Sequence, residues 1–254
     1  MKTELTLAGR VALITGATTC LGHSQTLALV SLGAKVAINT FNNSRDTSNF
    51  SKRSSETNLE KTHIERCVVA MGGEVITHNT DLTCIDDVEN MVKETINKWG
   101  KIDILINNAG TLDDTLFLKS EFKDFKCDID SYLMGSVNCT KAVWGLMLKQ
   151  HYGRIVMTMP ADKQNSIHQD IYSTAKLAAL DFMESLCMAG MNHNIRINTL
   201  IPPVSATIEE IDKPNSFLNN DVLTLCSDDA PNCIILCANK EGHPLKQSKD
   251  AAYL

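Results

Sequence analysis

Val11-Ala12-Leu13-Ile14-Thr15-Gly16-Ala17-Thr18-Thr19-Cys20-Leu21-Gly22 opens the only reading of this chain that fixes its architecture. Five apolar or β-branched residues, Val11–Thr15, run into Gly16 with no polar alternation. Such a run reads as a strand buried on both faces. Leu21 to Leu32 then reads as a helix that stops at Gly33. A strand, a Gly-containing turn and a helix together bring backbone N–H groups to the positive end of a helix dipole. That is a seat for a pyrophosphate, and glycine serves there because a Cβ would intrude on the phosphates.

The same alternation continues outward. Lys35–Thr40, Glu74–His78, Ile102–Ile106, Arg154–Thr158, Ile195–Leu200 and Cys233–Cys237 read as further strands. Thr83 to Trp99 is amphipathic, with Ile85, Val88, Val92, Ile96 and Trp99 at helical spacing, and Gly100 is placed to cap it. Residues from about Glu121 to Gln150 suit a long helix, and Tyr172 to about Gly190 another. Strand–helix alternation with apolar strands predicts an α/β fold: a single doubly wound, Rossmann-type domain over residues 1–254, with a seven-stranded parallel sheet. The segment from Asn42 to Thr57, rich in Ser, Asn and Arg, is longer than an ordinary strand–helix loop. It reads as a surface excursion, or as a flap beside a cofactor.

Composition narrows the function. A net charge of −6 with dispersed Lys and Arg gives no footprint for nucleic acid or an anionic membrane. Met1 to Arg10 lacks a secretory apolar core, and no apolar run reaches the roughly 18 residues of a membrane span. The nine cysteines, Cys20, Cys67, Cys84, Cys127, Cys139, Cys187, Cys226, Cys233 and Cys237, form no Cys-x-x-Cys pair. They read as reduced thiols in a cytoplasmic compartment, and no metal site is expected from their spacing. The last three residues, Ala252-Tyr253-Leu254, are not the Ser-Lys-Leu peroxisomal signal, so a peroxisomal location carries no clear mark.

Two further motifs carry chemistry. Asn107-Asn108-Ala109-Gly110 follows the fourth strand directly, and Tyr172-Ser173-Thr174-Ala175-Lys176 opens a helix. Four positions on a helix put Tyr172 and Lys176 on one face. A phenol titrates near pH 10 in water, and a neighbouring ammonium favours its anion. Such a pair can act as general acid or base at a carbonyl or hydroxyl carbon. With the first turn, these motifs resemble the short-chain dehydrogenase/reductase family, and the resemblance covers most of the chain. Gly153–Thr158, Asn108–Asp114 and Ser227–Pro231 look most like the 3-hydroxyacyl-CoA dehydrogenase domains of peroxisomal multifunctional enzyme type 2.

The resemblance implies a nicotinamide dinucleotide. Gly16, Thr19, Cys20, Leu21 and Gly22 would hold its pyrophosphate, and Thr40 would stand at its adenosine ribose. Asp81 and Leu82 would meet adenine, and Asn108, Ala109 and Gly110 would line the crevice. Lys176 would hold ribose hydroxyls, with Pro202 and Thr207 near the nicotinamide. It also implies a homodimer or homotetramer built on the helices bearing Val143, Leu146 and Leu148 and bearing Leu177, Leu180, Met183 and Leu186.

Four departures from that pattern fall at the site. Cys20 replaces the central glycine of the phosphate turn. Thr40 replaces the acid that binds a ribose 2′-hydroxyl, which favours NADP(H) over NAD(H), with Arg45, Lys52 and Arg53 as candidate partners for a 2′-phosphate. Met159, followed by Pro160, occupies the register of the active-site serine. Thr158 is one position away and, on a strand, faces the other side. Tyr132 occupies the register of the asparagine that holds a proton-relay water. Pro203 also stands where a glycine follows Pro202. His168, one helical turn before Tyr172, is the best candidate to replace the missing donor, ahead of Asp162, Lys163 and Asp170. Three readings stay open. One is a reductase or dehydrogenase of a small carbonyl or hydroxyl substrate. Another is a non-redox catalyst such as an isomerase, cyclase or dehydratase. The last is a non-catalytic protein on the same scaffold.

Overall fold

The computed structural model describes residues 6–40, 63–109, 121–123, 126, 129–159, 170–201 and 217–237. Seven strands alternate with helices in chain order. They are β1 (Val11–Ile14), β2 (Lys35–Asn39), β3 (Val75–His78), β4 (Ile104–Asn107), β5 (Gly153–Thr158), β6 (Ile195–Ile201) and β7 (Ile235–Cys237). The described helices are α1 (Cys20–Ser31), α2 (residues 63–70), α3 (Ile85–Trp99), α4 (Gly135–Gln150), α5 (Asp170–Gly190) and α6 (Phe217–Cys226). All strand pairs are parallel, in the order β3-β2-β1-β4-β5-β6-β7. The predicted class and strand number therefore stand. No helix among the described residues is long and apolar enough to cross a membrane.

Strand side chains alternate between two separate apolar layers. Leu13, Leu105, Ile155, Met157 and Ile197 join Val88, Met91, Val143, Met147, Leu180 and Met183 of α3, α4 and α5. Ile14, Val36, Ile38, Ile106, Val156 and Leu200 join Leu29 of α1, Ile64 and Val68 of α2, and Val222 and Leu225 of α6. Covering both faces explains why the strands read as unbroken apolar runs. Helix α3 turns Val88, Met91, Val92 and Thr95 inward and ends at Gly100, whose φ of 79° is left-handed, as the sequence predicts. Helix α2 and helix α6 were not anticipated.

At the N-terminal edge of the sheet, charged groups take the places that strand ends leave open. Asp103 accepts the Val11 N–H at 2.8 Å and an Arg10 N–H at 3.1 Å. Arg154 is fully buried and donates to the carbonyls of Gly153, Asn194, Ser227 and Asp228 at 2.7–2.8 Å. Buried charge is tolerated because its donors are satisfied. The guanidinium carbons of Arg10 and Arg154 lie 3.7 and 4.2 Å from the centre of the Tyr152 ring. Side-chain bonds thus tie the strand ends together along this edge.

Candidate active site

Strand order reverses between β1 and β4, and ligands of open parallel sheets sit beyond the carboxyl ends of such strands. The loop after β1 is built as a cradle there. Thr19 caps α1, its hydroxyl accepting the Gly22 N–H at 3.1 Å and donating to the Gly16 carbonyl at 2.9 Å. Gly16 has φ +63°, and a Cβ on it would lie 2.9 Å from the Cα of Ala109. A Cβ on Gly22 would lie 2.2 Å from the Gly16 oxygen and 2.8 Å from Asn108 Nδ2. Neither position accepts a side chain.

The loop after β4 is fastened to this cradle. Asn108 Nδ2 donates to the Gly16 carbonyl at 3.1 Å and to Thr19 Oγ1 at 3.0 Å. Thr15 Oγ1 accepts the N–H groups of Asn108 and Ala109, both at 3.0 Å, and donates to the Ile106 carbonyl at 3.3 Å. From sequence alone Thr15 reads only as the end of a strand. Its signal was its position, the last residue before Gly16.

The loops after β2 and β3 join in the same way. Asn39 and Thr80 exchange hydrogen bonds at 3.1 and 3.0 Å, and Asn39 also accepts the Ala17 N–H through its carbonyl. Asp81 uses one oxygen, Oδ1, for the N–H and hydroxyl of Thr83, at 2.9 and 2.7 Å. Leu82 is buried, and its carbonyl accepts Asn138 Nδ2 from α4 at 2.9 Å. Thr40 is buried and bonds the His78 carbonyl through both its N–H and its hydroxyl, at 2.9 and 3.2 Å.

The structure therefore brings Gly16, Thr19, Gly22, Asp81, Asn108 and Ala109 to one edge of the sheet. Cys20 and Leu21 begin α1. Tyr172 and Lys176 lie in the first two turns of α5. The side chains of Cys20, Tyr172 and Lys176 lie outside those described. Gly110, His168, Pro202, Thr207 and the 42–57 excursion fall outside the described residues.

A model of the family described as short chain dehydrogenase matches residues 10–213, most of the chain. The chain belongs to the short-chain dehydrogenase family. Among curated family members, a 3-oxoacyl-[acyl-carrier-protein] reductase of Synechocystis is 34% identical over 202 residues, covering 79% of this chain and 76% of the reductase. Peroxisomal multifunctional enzyme type 2 of Mus musculus is 32% identical over 219 residues, 86% of this chain. The chain spans only 29% of that enzyme's length. Among solved structures, a 7α-hydroxysteroid dehydrogenase complexed with NADH and 7-oxo-glycochenodeoxycholic acid superposes with a TM-score of 0.76 at 23% identity. That match covers 96% of this chain and 97% of the other.

Met159 and Tyr132 both pack inward. Met159 is 0% exposed and joins the same apolar cluster as Tyr132, Ala175 and Met157. Thr158 faces away from that cluster, as strand alternation predicts, and its hydroxyl accepts Gln25 Nε2 of α1 at 3.2 Å. Tyr132 is buried in a π-helical turn, Ile129–Met134, that leads into α4. Its carbonyl accepts the Ser136 hydroxyl at 2.9 Å. This π-helical turn thus carries an aromatic side chain packed inward.

Proposed function

We propose that this chain binds a nicotinamide dinucleotide, NADP(H) in preference to NAD(H), and that Tyr172 handles a proton at a carbonyl or hydroxyl carbon of a small substrate. The observation that carries the reading is the Gly16–Thr19–Gly22 turn at the start of α1, tied to Asn108 and packed too closely for a Cβ on either glycine. Gly16, Thr19, Cys20, Leu21 and Gly22 would hold the pyrophosphate on the N-terminus of α1. Asp81 retains a second carboxylate oxygen for adenine, with Leu82 behind it. Asn108, Ala109 and Gly110 would line the crevice, with Lys176 at the ribose and Pro202 and Thr207 at the nicotinamide end. When bound, the dinucleotide supplies or accepts a hydride. The chain's own task is the proton: Tyr172 gives it to a substrate oxygen or takes it away, with the Lys176 ammonium stabilising the phenolate. Thr40, a neutral residue in place of an acid, supports NADP(H), since it offers no carboxylate to repel a 2′-phosphate.

Calorimetric titration with NADPH and NADH separately tests this reading. NADPH is expected to bind more tightly. Binding of neither overturns it. Carbonyl reduction abolished in Tyr172→Phe would complete the assignment.

Met159 favours a second reading, a non-redox isomerase, cyclase or dehydratase that keeps Tyr172 as its acid/base. A buried thioether gives a substrate oxygen no hydrogen bond. Dinucleotide binding without nicotinamide turnover, together with a Tyr172-dependent substrate conversion, distinguishes it. No effect of Tyr172→Phe on any conversion leaves a non-catalytic protein.

The same proposal takes residues 1–254 as one cytoplasmic domain assembled into a homodimer or homotetramer through α4 and α5. Val143, Leu180 and Met183 are spent on the intramolecular core, whereas Leu146, Leu148 and Leu186 are half-buried and Met188 is exposed. A monomeric mass by light scattering at micromolar concentration overturns the assembly.

A further inference from the structure

His23, His63 and Cys67 come together where α1 meets α2, with one ligand atom from each lying within 4.8 Å of the others. None of them belongs to the cofactor crevice assigned above. His63 and Cys67 are four residues apart on α2 and so share a face. Cys67 Sγ lies 3.8 Å from His63 Nδ1 and 4.0 Å from its Nε2. His23 reaches them from a different helix, its ring centre 5.6 Å from that of His63. A chance contact within one helix accounts for His63 and Cys67. It does not account for a second imidazole delivered from 40 residues earlier in the chain.

We propose that His23, His63 and Cys67 form a zinc-binding site, with the fourth coordination position open to water. Two imidazoles and a thiol are the borderline donors that zinc selects, and among the described residues no carboxylate joins the cluster to favour calcium or magnesium. Zinc bonds of about 2.0–2.1 Å to nitrogen and 2.3 Å to sulfur, set tetrahedrally, separate N and S ligands by about 3.6 Å. The Cys67–His63 separation of 3.8 Å is slightly wider and the whole cluster lies within 4.8 Å, so the ligands must draw together around the ion. His63 is exposed and Cys67 and His23 are half-buried, which leaves a path for the ion and a place for the water. Coordination replaces the Cys67 S–H with a zinc–thiolate bond and releases one proton to solvent. The expectation of no metal site rested on cysteine spacing alone, and this site uses a single cysteine.

The test uses the full chain stripped with a chelator. Zinc is titrated against a chromophoric competitor, and cobalt(II) is added separately as a spectroscopic probe. One zinc per chain is expected, with a thiolate-to-cobalt charge-transfer band in the near ultraviolet that disappears in Cys67→Ser. Losing even an outer-shell partner of a metal costs about tenfold or more in affinity, so His23→Ala and His63→Ala should each cost at least that. Alkylation of the unmodified protein, mapped by mass spectrometry, needs no variant: zinc should protect Cys67. Binding that survives all three substitutions, or Cys67 alkylated equally with and without zinc, overturns the site.

Discussion

Asn108 and Gly16 are joined by a hydrogen bond of 3.1 Å from the side-chain amide to the backbone carbonyl, across the point where the sheet reverses its strand order. The same amide reaches Thr19, the cap of α1, at 3.0 Å. One side chain thus holds the loop after β4 against the loop after β1. In the proposed function its effect is preorganisation: it would aim the N–H groups at the start of α1 before a dinucleotide arrives.

Asn108→Ala should therefore cost more in binding than in folding. Two part-exposed hydrogen bonds are lost, worth about 1 kcal/mol each in stability. Dinucleotide affinity should fall by about tenfold or more, because the freed cradle must be ordered again on binding. Urea unfolding and calorimetry on the same variant separate the two losses. An affinity unchanged within twofold would show that the cradle holds its shape without Asn108.

How much of this was legible depended on whether the information was local. Buried parallel strands show as apolar runs, so Val11–Ile14 and Lys35–Asn39 could be read to within a residue. Strand β4 was placed too early, because Ile102 and Asp103 look like strand but bond sideways to Gln150 and to β1. Helix α2 escaped notice because only Ile64 and Val68 are buried on it, among charged and half-buried neighbours. At the site, glycines announce themselves through their spacing. The pairs Asn39–Thr80 and Gln25–Thr158 do not, since each joins polar residues far apart in sequence. The His23–His63–Cys67 cluster was invisible for the same reason: its register is set by how α1 packs on α2.

Asp221 on α6 is half-buried, and burial alone raises its carboxyl to about 6. The folded value lies above the unfolded value near 3.9. Its contribution to stability is thus fully present below about pH 4 and is lost as pH rises through about 6. At pH 7 the folded chain carries a penalised carboxylate. Asp221→Asn should stabilise the protein there by up to about 1 kcal/mol, after allowing for partial solvent screening. At pH 4 the gain should vanish. Urea midpoints at the two pH values test the sign, and an equal gain at both would rule out the carboxylate as its source.

Tyr152 repeats this sign in the alkaline range. Burial is the main cause that raises its phenol, and the hydrogen bond to Asp228 Oδ1 at 2.9 Å adds to this, against the lowering influence of Arg154 and Arg10. The folded value exceeds the ordinary one near 10. Stability from this group is therefore intact below about pH 10 and falls as pH rises beyond it. Tyr152→Phe should be less stable near neutrality, by about 1 kcal/mol for the lost hydrogen bond. Its stability should also fall less steeply above pH 10 than that of the unmodified chain. Parallel curves in that range would place the alkaline sensitivity elsewhere.

Met159 offers the sharpest test of which chemistry the crevice performs. The family resemblance implies the register of a serine donor for it, and it is fully buried among apolar neighbours. Removing one hydrogen-bond donor from an oxyanion costs about a hundredfold or more in rate, and restoring one should recover a similar factor. Met159→Ser is expected to raise NADPH-dependent carbonyl reduction by about that amount. It also empties volume in a packed layer, at a cost of about 2–5 kcal/mol in stability. Met159→Ala makes the same cavity without a donor and is the necessary control. A gain in Ser but not in Ala assigns the effect to the hydroxyl. Equal gains would mean the methionine was blocking the substrate rather than failing to polarise it. If neither variant gains while both still bind NADPH, the crevice is not arranged for hydride transfer, and the non-redox reading takes its place.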